Sequence, residues 1–165
     1  MKYNIFKKIS YLFLSLALIT AFTSCEVEES VPDASDILIS EVAGTWVVDM
    51  LWDGDPNGTN TISIYNTGAN DSDLMWLDDQ QNGWGLLAKV PLNLETLTFG
   101  GSNLDELYYG VTVTITEGEI IKGGATTPSG DVVDSIYFKA EFSDIPGEIW
   151  EYFGYKSTAK IGDMP

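Results

Sequence analysis

Carboxylates are the most abundant side chains here that could do chemistry: Asp and Glu together number 25, and there is no histidine. Without imidazole there is no Ser-His-Asp or Cys-His machinery, no histidine ligand for zinc and no histidine general base. What remains is catalysis by paired acids, which needs two carboxyl groups about 5 to 10 Å apart, one with its pKa raised by burial. Asp78, Asp79, Asp134 and Glu141 lie in or beside expected strands, although in so acidic a chain such pairs also arise by chance. DGDPNGTN, residues 53–60, copies the first half of a calcium loop, with Asp53, Asp55, Asn57 and Gly58 at ligand and turn positions. Position twelve of such a loop should be Glu and is Ile64, and the same residues suit a hairpin turn. No metal site is therefore assigned, and nothing calls for a cofactor.

The aromatic residues say more than the acids. Trp46, Trp52, Trp76, Trp84 and Trp150 all fall in or next to expected strands. Core packing accounts for such rings, because aromatics dominate cores. A small barrel has limited interior volume, however, so some of them should face a ligand or the surface. The candidate ligand-binding residues are Trp46, Trp52, Trp76, Trp84, Tyr137 and Tyr152. Their rings, with polar edges, suit neutral amphipathic partners.

The elements that would position them begin after an N-terminal segment of different character. Lys2, Lys7 and Lys8 precede the mostly apolar run Ile9 to Phe22, the layout of a signal peptide over residues 1–24. As a helix that run would be roughly 21 Å long, short of the ~30 Å hydrocarbon core of a bilayer. Phe22-Thr23-Ser24-Cys25 resembles the lipobox of bacterial lipoproteins, which implies cleavage before Cys25 and acylation of that residue. Cys25 is the only cysteine and has no partner for an internal disulfide, so its expected role is that of an anchor. Glu26, Glu28 and Glu29 resemble the acidic export signal of Bacteroidota lipoproteins, which implies the outer membrane and the cell surface. Residues 25–40 then read as a polar, acidic tether.

Loss of residues 1–24 removes three of the eight lysines and no acid, leaving five lysines against 25 acids, a side-chain charge of −20. Such a chain lacks the cationic stripe that nucleic acid requires and repels anionic lipid surfaces.

From Glu41 to Pro165 the pattern has a period of two, with β-branched and aromatic residues between turn signals. Trp46, Val48, Met50 and Trp52 alternate in a first strand, Ile62 and Ile64 in a second, and Leu74, Trp76 and Asp78 in a third. Trp84 to Val90 reads as a fourth, and Leu92, Leu94 and Phe99 mark a bulged fifth. Val111, Val113 and Ile115 alternate with threonines, and Val132 to Phe142 and Ile149 to Lys160 make a final pair. Between them DGDPNGTN, NTGANDSD, DDQQNG, FGGSN, TEGE, KGGATTPSG and SDIPGE read as turns. The expected domain, residues 41–165, is an all-β antiparallel up-and-down meander of about eight strands closed into a barrel, which removes exposed edges.

Gly44-Thr45-Trp46 resembles the G-x-W signature of lipocalins and the wider calycin group, where the tryptophan closes one barrel end beneath a basic residue from the last strand. By that resemblance Lys156 supplies the cation over Trp46, a contact of roughly 0.5 to 2 kcal/mol. EVAGTWVVDMLWDGDPNG, YNTGANDSDLMWLDD, VTVTITEGEII, SGDVVDSIYFKAEFSDIPG and EYFGYKSTAKIG, in that order, resemble the Bacteroidota family called lipid-binding putative hydrolases. The resemblance spans residues 40 to 162 and implies a lipocalin-like barrel that binds an apolar or amphipathic small molecule. No catalytic set accompanies the hydrolase part of that name.

Two further readings stay open. One is a surface accessory protein that binds neutral glycans on exposed aromatic platforms, and the other is a hydrolase that uses paired carboxylates. A row of outward rings would favour the first; a buried acid of raised pKa in a cleft would favour the second.

Overall fold

The computed structural model describes residues 36–165. Cys25, the signal segment 1–24 and tether residues 25–35 lie outside the described residues.

Eight antiparallel strands close into one barrel, and no α-helix occurs among the described residues. They are β1 Gly44–Trp52, β2 Asp55–Asn66, β3 Leu74–Asp78, β4 Leu87–Asn93, β5 Thr98–Asp105, β6 Thr112–Thr126, β7 Val132–Phe142 and β8 Ile149–Lys156. Each strand pairs with its neighbours in sequence, and β1 pairs with β8 to close the ring, with Trp46 opposite Lys156 and Trp52 opposite Trp150. The seam is tight. At Gly154, which faces Val48, a Cβ would lie 1.9 Å from the Val47 carbonyl oxygen, so only glycine fits.

An up-and-down meander sorts its connections to two ends. The β1–β2, β3–β4, β5–β6 and β7–β8 loops gather at one end, hereafter the mouth. The chain enters and leaves at the other, the base. There Ile39 and Val42 are fully buried in the core, in a turn held by bonds from the Val42 and Ala43 N–H groups to the Ile39 carbonyl. Packing thus begins before Glu41: in the short apolar run Ile37-Leu38-Ile39, Ile39 is in the core and Ile37 packs against it, while Leu38 faces solvent.

Side chains fill the barrel. Trp46, Val48, Ile62, Met75, Leu77, Ala88, Val90, Phe138, Ala140, Phe142 and Tyr152 each have no accessible surface. A void large enough for water would leave accessible area on its walls, so none of these residues borders one. Phe138 and Tyr152 stack with centroids 4.5 Å apart and 6° between planes, and Phe99 meets Phe138 edge-on at 5.7 Å. Such pairs prefer offset-stacked and edge-to-face contacts because each ring has a negative face and a positive edge.

Several strand boundaries differ from the sequence reading. In β3 the buried residues are Met75 and Leu77, while Trp76 points outward with Leu74 and Asp78; both phases carry apolar residues, so alternation alone does not choose between them. Trp84 lies in a loop and β4 starts at Leu87, while Leu92 belongs to β4 and Phe99 to β5. FGGSN and TEGE are not turns but bulged parts of β5 and β6, where the register shifts between Phe99 and Leu104 and between Thr116 and Glu119. The last strand stops at Lys156, before a 3-10 turn at Ile161–Asp163.

Candidate functional site

The predicted ligand-binding residues separate into three places. Trp46 and Tyr152 are interior: Trp46 is fully buried at the base with its indole N–H donating to the Val42 carbonyl at 3.2 Å, and Tyr152 is fully buried beneath the mouth. Neither surface is free for a ligand, a correction to their inclusion: Trp46 fills the base, and Tyr152 stacks on Phe138 inside the barrel. Trp76 and Tyr137 stand on the outer wall, Trp76 6.4 Å from Tyr65 and under the Lys89 ammonium at 5.1 Å, and Tyr137 donating to Glu151 at 2.9 Å. Trp52 and Trp84 lie at the mouth, each against Trp150.

At the base, Lys156 Nζ lies 5.7 Å from the centroid of the Trp46 ring and donates to the Glu41 carbonyl at 2.9 Å. Burial, then the nearby Lys122, pull the Lys156 pKa down. Lys122 in turn bridges Glu41 at 3.1 Å and Asp134 at 2.9 Å.

At the mouth three tryptophans form one cluster. Trp52 ends β1 and Trp150 opens β8 across the seam, so their rings stack at 5.9 Å with 10° between planes. Trp84 reaches in from the β3–β4 loop to within 6.4 Å of Trp150, and Tyr152 lies 6.5 Å below Trp150. Beside Trp84 opens a cleft of about 580 Å³, lined by Gly83, Trp84, Tyr109, Val111 and Asp144. Its volume falls in the range of ~300 to 1,000 Å³ typical of small-molecule sites, and its lining is apolar and aromatic with one acid.

Two buried acids shape this cleft without lining it. Asp79 has no accessible surface, and its carboxylate accepts from the N–H groups of Gln81, Gly83, Gly85 and Leu86 at 2.7 to 3.2 Å and from the Tyr152 hydroxyl at 3.3 Å. These bonds wrap the β3–β4 loop around one carboxylate and so aim Trp84. Gly83 must be glycine for the same reason, because a Cβ there would lie 2.5 Å from the Tyr152 hydroxyl and 2.8 Å from Asp79. Burial raises the Asp79 pKa against the opposing pull of the backbone N–H groups. Glu106, 1% exposed, plays the same part for the β5–β6 loop, accepting from Leu87, Tyr108 and Tyr109 N–H groups at 2.6 to 3.2 Å and thereby placing Tyr109.

The other candidate acids are engaged elsewhere. Asp78 faces outward and accepts from Tyr108 at 2.8 Å and Tyr65 at 3.3 Å, opposite in direction to Asp79. Asp134 holds Lys122 and the Gly123 N–H at the base end of β7, and Glu141 accepts from Gly147 in the β7–β8 loop. With five donors around it, the Asp79 carboxylate has its acceptor positions filled and is a staple for its loop. The calcium-loop candidates are also structural: Asp53 and Gly54 form the β1–β2 turn with φ of 49° and 85°, Asp53 accepts from the Ile149 N–H at 2.8 Å, and Asp55 and Asn57 run along β2.

Sequence reading missed Trp150, Tyr109, Val111 and Asp144 as site residues. A tryptophan at the start of the last expected strand was the available signal, since barrel closure sets it against the end of the first. Residues 31–160 match the family model described as "Lipid-binding putative hydrolase". No curated protein matches the sequence.

Proposed function

We propose, because the chain belongs to the lipid-binding putative hydrolase family, that it binds a lipid-like amphipathic molecule at the barrel mouth, without catalysis. The cleft beside Trp84 carries this reading: it is mainly apolar, of ligand size, and adjoins the tryptophan cluster, whereas the barrel below is filled. An acyl chain laid against Trp84, Tyr109 and Val111 would gain about 0.8 kcal/mol per buried CH₂. Native mass spectrometry of the purified protein, with lipid extraction, tests this. A reproducible bound mass of lipid size that disappears in Trp84→Ala is the expected result; an apo mass after incubation with lipid extracts removes the reading.

The same proposal includes a lipid anchor on Cys25 and a place at the outer membrane, facing the cell surface. Its support is the lysine-led apolar segment, the tetrapeptide Phe22-Thr23-Ser24-Cys25 and the glutamates behind it. Metabolic labelling with a fatty-acid analogue should mark the wild type and not Cys25→Ser; equal labelling of both excludes the anchor.

A neutral-glycan reading rests on one different observation. On the outer wall Tyr65 and Trp76 lie 28° from parallel beside a cleft of about 440 Å³ that carries Lys89, Asn103 and Asp105. Retardation in gels cast with neutral polysaccharides, lost in Trp76→Ala, would support it.

A further inference from the structure

Three of the tryptophan N–H groups in the described barrel find acceptors: Trp46 on the Val42 carbonyl, Trp52 on Glu148 at 2.8 Å and Trp84 on Asp144 at 3.3 Å. Trp150 does not. It is 3% exposed, and its Nε1 is the one buried side-chain polar atom without a partner among the described residues. Buried donors are nearly always satisfied, and leaving one unpaired is costly. Its ring belongs to the tryptophan cluster of the mouth, 6.4 Å from that of Trp84, which lines the cleft.

We propose that the ligand completes this bond: its head presents an uncharged acceptor oxygen, from an ester, amide or hydroxyl group, to Trp150 Nε1, while its chain occupies the cleft. The inference rests on the mouth-binding reading given above. An indole N–H only donates, so an ammonium head, which has no acceptor, would leave it unpaired. A carboxylate could accept, but the groups around it are wrong. Asp144 lines the cleft, Glu148 sits on Trp52 at the rim, Asp79 lies beneath Tyr152, and no lysine is among the lining residues. An anionic head would be desolvated beside like charges, which discriminates against it. Trp84 lines the cleft, packs against Trp150 and is held by one indole bond to Asp144; on this proposal that bond breaks, the ring turns and a ligand oxygen reaches Trp150. The site therefore selects neutral lipids over fatty acids of the same chain.

The test compares monooleoylglycerol with oleate, each below its aggregation concentration, by tryptophan fluorescence on the purified full-length chain at pH 8. Monooleoylglycerol should bind at least about tenfold more tightly. Trp150→Phe, which keeps most of the ring and removes the donor, should weaken monooleoylglycerol roughly three- to tenfold and leave oleate unchanged. Should that variant fail to fold, the wild type still decides the matter by nitrogen-edited NMR, in which the Trp150 indole N–H resonance moves downfield on saturation. Oleate binding as tightly as monooleoylglycerol, or a Trp150 resonance that stays in place, overturns the proposal while leaving the mouth site standing. Failure of both ligands to bind overturns the mouth site as well.

Discussion

Asp79 and Asp163 are both buried carboxylates whose surroundings move them in opposite directions. For Asp163 burial alone would raise the pKa, but hydrogen bonds from Thr158, Ser129 and Thr127 outweigh it and bring it down to about 2. A lowered folded pKa gives stability that is present above the unfolded value near 3.8 and is lost as pH falls toward 2. Melting temperature followed from pH 5 to pH 2 should therefore decline less steeply in Asp163→Asn than in the wild type; parallel curves would show that the clasp contributes nothing. The folded pKa of Asp79 is raised, so its own contribution has the other sign and is lost as pH rises above 3.8. Its hydrogen bonds still matter more to the loop than its charge. Asp79→Asn turns one acceptor oxygen into a donor facing N–H groups, which should cost about 1 to 3 kcal/mol in chemical denaturation and loosen the loop that aims Trp84.

Among the elements, the seam between β1 and β8 is the one most exposed to a single change. Gly154→Ala drives a methyl into the Val47 carbonyl, and overpacking of this kind costs about 1 to 3 kcal/mol. A loss below about 0.5 kcal/mol in urea denaturation would mean that the strands part easily there. The elements were also the most legible level in the sequence: alternation in Trp46-Val48-Met50, in Val113-Ile115 and along Val132–Phe142 marks three strands because burial on one face dictates it. Glycine and acid runs misled where the barrel bends, since FGGSN and TEGE have turn composition yet sit inside β5 and β6, with Glu117 at a φ of 55°. The site was legible only in its residue types. Trp52, Trp84 and Trp150 are far apart in sequence, and their meeting depends on ring closure and on the Asp79 staple, neither of which leaves a local pattern.

For the whole molecule, charge is the dominant imbalance. All five lysines of the described barrel are committed: Lys89 to Trp76, Lys122 to Glu41 and Asp134, Lys139 to Glu117, Lys156 to Trp46 and the Glu41 carbonyl, and Lys160 to Asp131. The remaining acids repel one another, and salt screens that repulsion as the Debye length shrinks from about 30 Å at 0.01 M to about 8 Å at 0.15 M. The melting temperature should accordingly rise between those two conditions; a fall would indicate that the few ion pairs outweigh the excess acid. The closed seam also has a topological meaning. Because β1 and β8 are neighbours, with Trp46 opposite Lys156, the two ends of the barrel chain meet, and the order in which the strands are threaded is a matter of convenience. A linker from Pro165 back to Asp36, with new ends cut in the Thr127–Asp131 turn, would give a circular permutant with the same ring of strand pairings and an untouched mouth, losing only the contacts of that turn with Asp163 and Lys160.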